Sequence, residues 1–121
     1  MEQRIVSIRP FIGAKDYQLS AAFYRDCGFT QKELSKNMSL FTLEHIAFYL
    51  QDAYVKDWVD NTMVFLEVDR LDQFYKSFVH INLPGKYNGV KLTPIKNFDW
   101  GRECYLHDPS GILWHFGEFR K

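Results

Sequence analysis

The stretch KDYQLSAAFYRDCGF, residues 15–29, decides how this chain is read. Asp16 is an N-cap residue type, because its carboxylate accepts amide hydrogens that a first helical turn leaves unpaired. Leu19, Ala22, Phe23 and Cys27 recur behind it at helical spacing, and Gly28 stands where a C-terminal cap needs a positive φ. The stretch predicts a helix with one apolar face. Before it, residues 5–11 alternate as a strand, with Val6, Ile8 and Pro10 on one side and Ser7, Arg9 and Phe11 on the other. After it, strands are expected over 29–34, 38–43 and 46–51, turned at Lys36-Asn37 and around Glu44-His45. This half reads βαβββ.

Residues 52–61 break the pattern and predict a linker with a helical turn. The second half then repeats the first. A strand is expected over 62–68. Asp69 is placed to cap a helix that carries Leu71, Phe74, Tyr75 and Phe78 on one face. That helix ends before Leu83-Pro84-Gly85. Strands follow over 90–95, 102–107 and 112–119, the last two joined by the turn sequence Asp108-Pro109-Ser110-Gly111. Each helix holds a Phe-Tyr pair, Phe23-Tyr24 and Phe74-Tyr75. A βαβββ unit duplicated at a period of about 55 residues accounts for both halves. The expected fold is α+β, one domain of two modules, residues 1–60 and 61–121.

Composition sets the outer limits. The chain has 121 residues, with 46% hydrophobic and 25% charged, which suits one globular domain and argues against disorder. Fifteen basic residues cancel fifteen acidic ones, so neither nucleic acid nor an anionic membrane is an expected partner. Aromatics reach 17%, enough to line a ligand surface as well as a core. Cys27 and Cys104 make neither a disulfide framework nor paired zinc spacing, and read as reduced thiols. The N-terminus shows no signal-peptide pattern, and no apolar run approaches the ~20 residues of a membrane span. A soluble, cytoplasmic protein is expected.

Several short motifs, taken in order, resemble the vicinal oxygen chelate superfamily. They are Lys15-Asp16, Ser20-Ala21-Ala22-Phe23-Tyr24, Gly28-Phe29, Val68-Asp69-Arg70-Leu71-Asp72, Trp100-Gly101, and Asp108-Pro109-Ser110-Gly111-Ile112-Leu113-Trp114. That superfamily contains glyoxalases, extradiol dioxygenases, fosfomycin-resistance enzymes and bleomycin-resistance proteins. The nearest resemblance is to the bleomycin-resistance branch, in length, in the Ser-Ala-Ala-Phe-Tyr helix and in the Trp-Gly before the last hairpin. The resemblance implies two modules whose sheets curl around a shared cavity, and a homodimer with ligand clefts at its interface.

The departures from the family pattern bear on function. Where metal-dependent members place a His on the first strand, this chain has Arg9. Where they open the second module with a His, it has Met63. Where they place a Glu after the Asp-Pro-x-Gly turn, it has His115, and the fourth ligand position falls near Tyr49. A divalent ion needs converging imidazole and carboxylate donors. Arg9 brings a permanent positive charge and Met63 a weak, soft donor, so no metal and no cofactor are expected.

Alternation puts Ser7, Arg9 and Phe11, then Ala47, Tyr49 and Gln51, Met63, Phe65 and Glu67, and Leu113, His115 and Gly117 on the cavity faces. Arg9 and Glu67 read either as ligand contacts or as an internal ion pair. His115 reads either as an acid–base group or as a hydrogen-bonded filler, with no nucleophile beside it. His107, His45 and His80 read as strand-end, turn and helix-end residues. Tyr54, Trp58, Phe98 and Trp100 lie in irregular segments, where rings can line a cleft or cover an edge.

The expected function is a metal-independent binding protein of the antibiotic-resistance type, holding an aromatic or amphipathic small molecule in a dimer cleft. Its ligand-binding residues are Arg9, Tyr49, Trp58, Met63, Phe65, Glu67, Trp100 and His115, and none is assigned as catalytic. A neutral chain with Arg9 turned inward argues against a cationic drug such as bleomycin itself. The alternatives are a divergent glyoxalase-like lyase or isomerase, or a dioxygenase, with relocated metal ligands, and a dimerising module whose cavity is filled.

Overall fold

The computed structural model describes residues 3–121. Helix α1 (Tyr17–Asp26) begins and ends as its sequence requires. Asp16 accepts a hydrogen bond from the Leu19 amide, and Gly28 follows the helix at φ +109°. Its inner face buries Tyr17, Ala21, Phe23 and Tyr24. Around it lie β1 (Phe11–Gly13), β2 (Thr30–Ser35), β3 (Met38–Leu43) and β4 (Ile46–Gln51). They form one sheet in the order β1-β4-β3-β2, with β1 parallel to β4.

After a short helix α2 (Lys56–Asp60) the pattern recurs. It runs β5 (Met63–Glu67), α3 (Leu71–Ile81), one helical turn α4 (Leu83–Lys86), β6 (Lys91–Leu92), β7 (Lys96–Phe98), β8 (Gly101–His107) and β9 (Leu113–Phe119). The second sheet has the order β5-β9-β8-β6, with β7 also on β8, and β5 is parallel to β9. In both halves the first strand closes in parallel on the last. The fold is the expected α+β pair of βαβββ modules.

Three local expectations are corrected. Residues 5–10 form no strand, and Ile5, Val6 and Ile8 are more than nine-tenths exposed. The register Phe11↔Tyr49 places Ile8 opposite Ile46, the first residue of β4, so residues 5–7 have no partner to pair with. Pro10 also lacks an amide hydrogen for the ladder. Of the strand expected over 90–95 only β6 forms, and a further strand, β7, begins beyond it at Lys96. Pro94 lies between them, and the register on β8 slips by one residue between Leu92↔Leu106 and Lys96↔Glu103. Arg70, not Asp69, is the N-cap of α3, and it makes no side-chain cap bond. The Val68 amide still bonds to the Gly117 carbonyl, so the chain leaves the β5–β9 ladder too late for Asp69 to cap.

The faces turned to the helices carry the core, as alternation predicts. Phe48 and Leu50 of β4, and Ile112 with Trp114 and Phe116 around β9, are buried. Each such side chain contributes about 1.5–3 kcal/mol by leaving water. Tyr24 lies at the centre, with Phe29, Phe41, Phe48 and Trp114 at centroid distances of 6.0, 5.7, 4.8 and 5.8 Å. Its hydroxyl accepts from Trp114 Nε1 at 2.9 Å and donates to Asp108 Oδ2 at 2.6 Å. Asp108 is fully buried, and its Oδ1 accepts from the amides of Ser110, Gly111 and Ile112 at 2.9, 2.8 and 2.9 Å. Burial raises the pKa of both the Tyr24 phenol and the Asp108 carboxyl, and these four hydrogen bonds offset the desolvation of the carboxylate. One module's helix is thereby fastened to the other module's hairpin turn.

Candidate functional site

The opposite face of the second sheet carries a polar and aromatic grid. Because partners across a ladder point to the same side, the register places three rungs there. They are Met63, Leu113 and His107, then Phe65, His115 and Tyr105, then Glu67, Gly117 and Glu103. His115 Nδ1 lies 3.1 Å from Glu103 Oε2, and Glu103 is 8% exposed. An ionised carboxylate only accepts, so the hydrogen of this contact belongs to Nδ1. Among the described residues, His115 Nε2 is buried and has no partner, and the same holds for His107 Nδ1. Burial, with Lys91 opposite in register, lowers the pKa of His107. The Glu103 charge raises that of the Tyr105 phenol.

Rings cover this grid. The Tyr105 and His115 rings meet edge-on at 4.7 Å, and Phe65 lies 6.4 Å from His115. Phe65 lies over Gly117, where a Cβ would come within 2.4 Å of its Cζ. Trp100 extends the surface, stacked on Phe98 at 5.6 Å, tilted on Phe119 at 5.2 Å and 6.2 Å from Phe65. Gly101 permits this arrangement, since a Cβ there would stand 2.1 Å from the Glu118 carbonyl oxygen. The Arg120 guanidinium holds the preceding loop by donating to the carbonyls of Phe98 and Asp99 at 2.8 and 3.2 Å. Phe65, Phe98, Trp100 and Phe119 all remain between one third and one half exposed.

The other sequence candidates are distributed around this face. Arg9 is exposed rather than turned into a closed hollow. It donates to the Tyr49 hydroxyl at 3.0 Å, and Tyr49 stacks on Phe11 at 4.7 Å. Arg9 and Phe65 line one recess of about 300 Å³, together with Ile8, Ile46, Ala47 and Trp114. Glu67 lines an adjoining groove of about 460 Å³, with Leu43, Ile46, Phe74 and Phe119. Among the described residues no ion pair joins Arg9 to Glu67, because Arg9 faces Tyr49 instead. Met63 is 65% exposed at the end of its strand. Trp58 is 73% exposed on α2 and lines neither recess.

Glu103, Tyr105 and His107 were not among the sequence candidates. The signal for them was present. Strand β8 was expected and alternation groups these three on one of its faces, and the register with β9 shows that this face is the one beside His115.

The donor set does not fit a divalent ion. The Tyr49 hydroxyl already accepts from a guanidinium, Met63 offers a thioether, and His115 is a single imidazole. Among the described residues no group of three His, Cys, Asp or Glu side chains is arranged to hold one. The thiols are poor nucleophiles: burial pushes Cys27 far up and Cys104 up to about 11. Among the described residues no helix is long and apolar enough to cross a membrane.

No protein-family model and no curated protein sequence matches the chain. Solved structures do. The bleomycin-binding protein of bleomycin-producing Streptomyces verticillus, in complex with copper(II)-bleomycin, superposes with a TM-score of 0.77. It is 20% identical, over 98% of this chain and 100% of that one. A lactoylglutathione lyase from Agrobacterium tumefaciens gives 0.72 at 18% identity, over 96% of each chain. A fosfomycin resistance protein from Listeria monocytogenes gives 0.72 at 15%, over 99% of this chain and 96% of that one. The chain thus has the expected fold, the one shared by these bleomycin-binding, lactoylglutathione lyase and fosfomycin resistance structures.

Proposed function

We propose that the chain is a metal-independent small-molecule binding protein of the antibiotic-resistance type, which holds an aromatic or amphipathic ligand against the concave face of its second sheet. The observation that carries this reading is the run of half-exposed rings Phe65, Trp100 and Phe119 beside the half-buried His115 and its buried partner Glu103. Binding sites combine apolar contact area with a few placed polar groups, and this face has both. Arg9, Tyr49, Met63 and Glu67 form its margins, and Trp58 stands apart. The bleomycin-binding neighbour supports a binding role.

The protein acts as one two-module unit, paired as a homodimer in the cytoplasm. The exposed Ile5, Val6, Ile8 and Met63 support the pairing, because such apolar area is stabilised when a second copy covers it. Light scattering at dilute and concentrated protein tests it, and a monomer at every concentration removes it.

The His115–Glu103 pair also supports a second reading, a lyase or isomerase in which an oriented imidazole moves a proton. One experiment separates the two. Melting temperature is measured with bleomycin, fosfomycin, lactoylglutathione and a panel of flat aromatics, with and without divalent metals, and each hit is followed for turnover. A concentration-dependent rise without metal and without product supports binding. A rise that requires stoichiometric metal, or any product, moves the assignment to the enzyme.

A further inference from the structure

Among the described residues the face carries two buried nitrogens with an unmade hydrogen bond, His107 Nδ1 toward its end and His115 Nε2 on its middle rung. Glu103 fixes which hydrogen-bonding role the second has. With the Nδ1 hydrogen committed to the carboxylate 3.1 Å away, neutral His115 presents a lone pair at Nε2 and no hydrogen. Among the described residues no side chain or backbone group donates to it. The rings of Tyr105 and Phe65 flank it. Phe65 is the ring that a ligand can reach and displace. It is 46% exposed, it rests on a glycine rather than a side chain, and its ring neighbours Trp100 and Phe119 are themselves half exposed.

We propose that His115 Nε2 is the hydrogen-bond acceptor of a site for phenols, in which the ligand's ring displaces Phe65 and its O–H donates to the imidazole. This rests on the reading that the face binds small molecules, and it names their class. The ring of such a ligand regains the aromatic contacts that Phe65 makes with Trp100 and Phe119. The hydroxyl supplies the donor that His115 Nε2 lacks. A phenol is favoured over a carboxylate, which has no hydrogen to give. It is favoured over an ammonium, whose charge would have to be stripped of water. Glu103 is a positioning residue: it fixes the tautomer and touches no ligand.

The test compares p-cresol with its methyl ether, 4-methylanisole, on the wild-type protein by titration calorimetry. The pH is mildly alkaline but below the ordinary phenol range, so that the probe keeps its hydrogen. The two probes share a ring and differ in the donor. The phenol should bind about tenfold more tightly, as expected for one additional hydrogen bond in a sheltered site. The nitrogen NMR signal of His115 Nε2 should move with p-cresol and not with the ether. His115→Phe should abolish the preference, and the wild-type comparison stands even if that variant does not fold. Equal affinity for the two probes overturns the inference and leaves the binding face standing. Binding of neither also overturns it, and the wider ligand panel then judges the face independently.

Discussion

The rung Phe11, Tyr49, Leu40 in the first sheet and the rung Phe65, His115, Tyr105 in the second cross equivalent strands of their modules. Each begins with a partly exposed phenylalanine beside a polar ring. In the first, the Tyr49 hydroxyl is in contact with Arg9 at the surface. In the second, the imidazole is tied to a buried carboxylate on one side and unpaired on the other. The hairpin turns differ in the same way. Glu44-His45 is a two-residue turn at the surface, whereas Asp108 is fully buried and holds its loop by three amides. The helices repeat the contrast. Phe23 and Tyr24 are fully buried, and their counterparts Phe74 and Tyr75 are only partly so. A duplicated topology thus carries two different distributions of polar groups. Among the described residues, the module that buries carboxylates, at Glu103 and Asp108, is also the one with unfilled hydrogen-bonding capacity, at His107 and His115.

That contrast can be broken by mutation. The largest effect should come from the turns. Asp108→Ala leaves the Tyr24 hydroxyl and three amides short of an acceptor and should cost about 3–5 kcal/mol, while Glu44→Ala should stay within about 0.5 kcal/mol. Urea denaturation of both variants measures this, and equal losses would erase the distinction between the hairpins. The helices come next. Phe23→Ala should cost about 3–5 kcal/mol as a core truncation, and Phe74→Ala less, about 1–2 kcal/mol, because its cavity opens toward solvent. A loss at Phe74 as large as at Phe23 would mean that α3 is packed as deeply as α1.

The smallest effect is a slope in pH. The His107 pKa is lowered chiefly by burial, with Lys91 adding to it, so the folded state binds that proton less readily than the unfolded chain. Stability should therefore fall as pH drops through the ordinary histidine range and recover above it. His107→Gln should flatten that part of the curve of melting temperature against pH. An unchanged slope would assign the acid sensitivity to another group.

Much of the architecture is legible in local chemistry. The Asp16 cap, the apolar face of α1 and Gly28 define one helix. The turn residues define the hairpins, because each acts over a few neighbouring positions. Two errors came from the same cause. Residues 5–10 alternate like a strand, but alternation says nothing about whether a partner strand extends far enough. Pro94 breaks a run whose apolar residues look continuous. The site was half legible. Alternation along β9 identified His115, but the lining on β8 appears only when the register joins the two strands. Whether Arg9 reaches Glu67 depends on how two separate sheets are placed, and no local pattern encodes that.

Gly117 gives the aromatic surface a form of adaptability. Its hydrogen occupies the place where any other residue would put a carbon against Phe65. A single-base change to alanine would evict that ring and wet the imidazole beneath it. Evolution can therefore adjust how sheltered the nitrogen is by editing the floor, leaving every residue of the walls untouched.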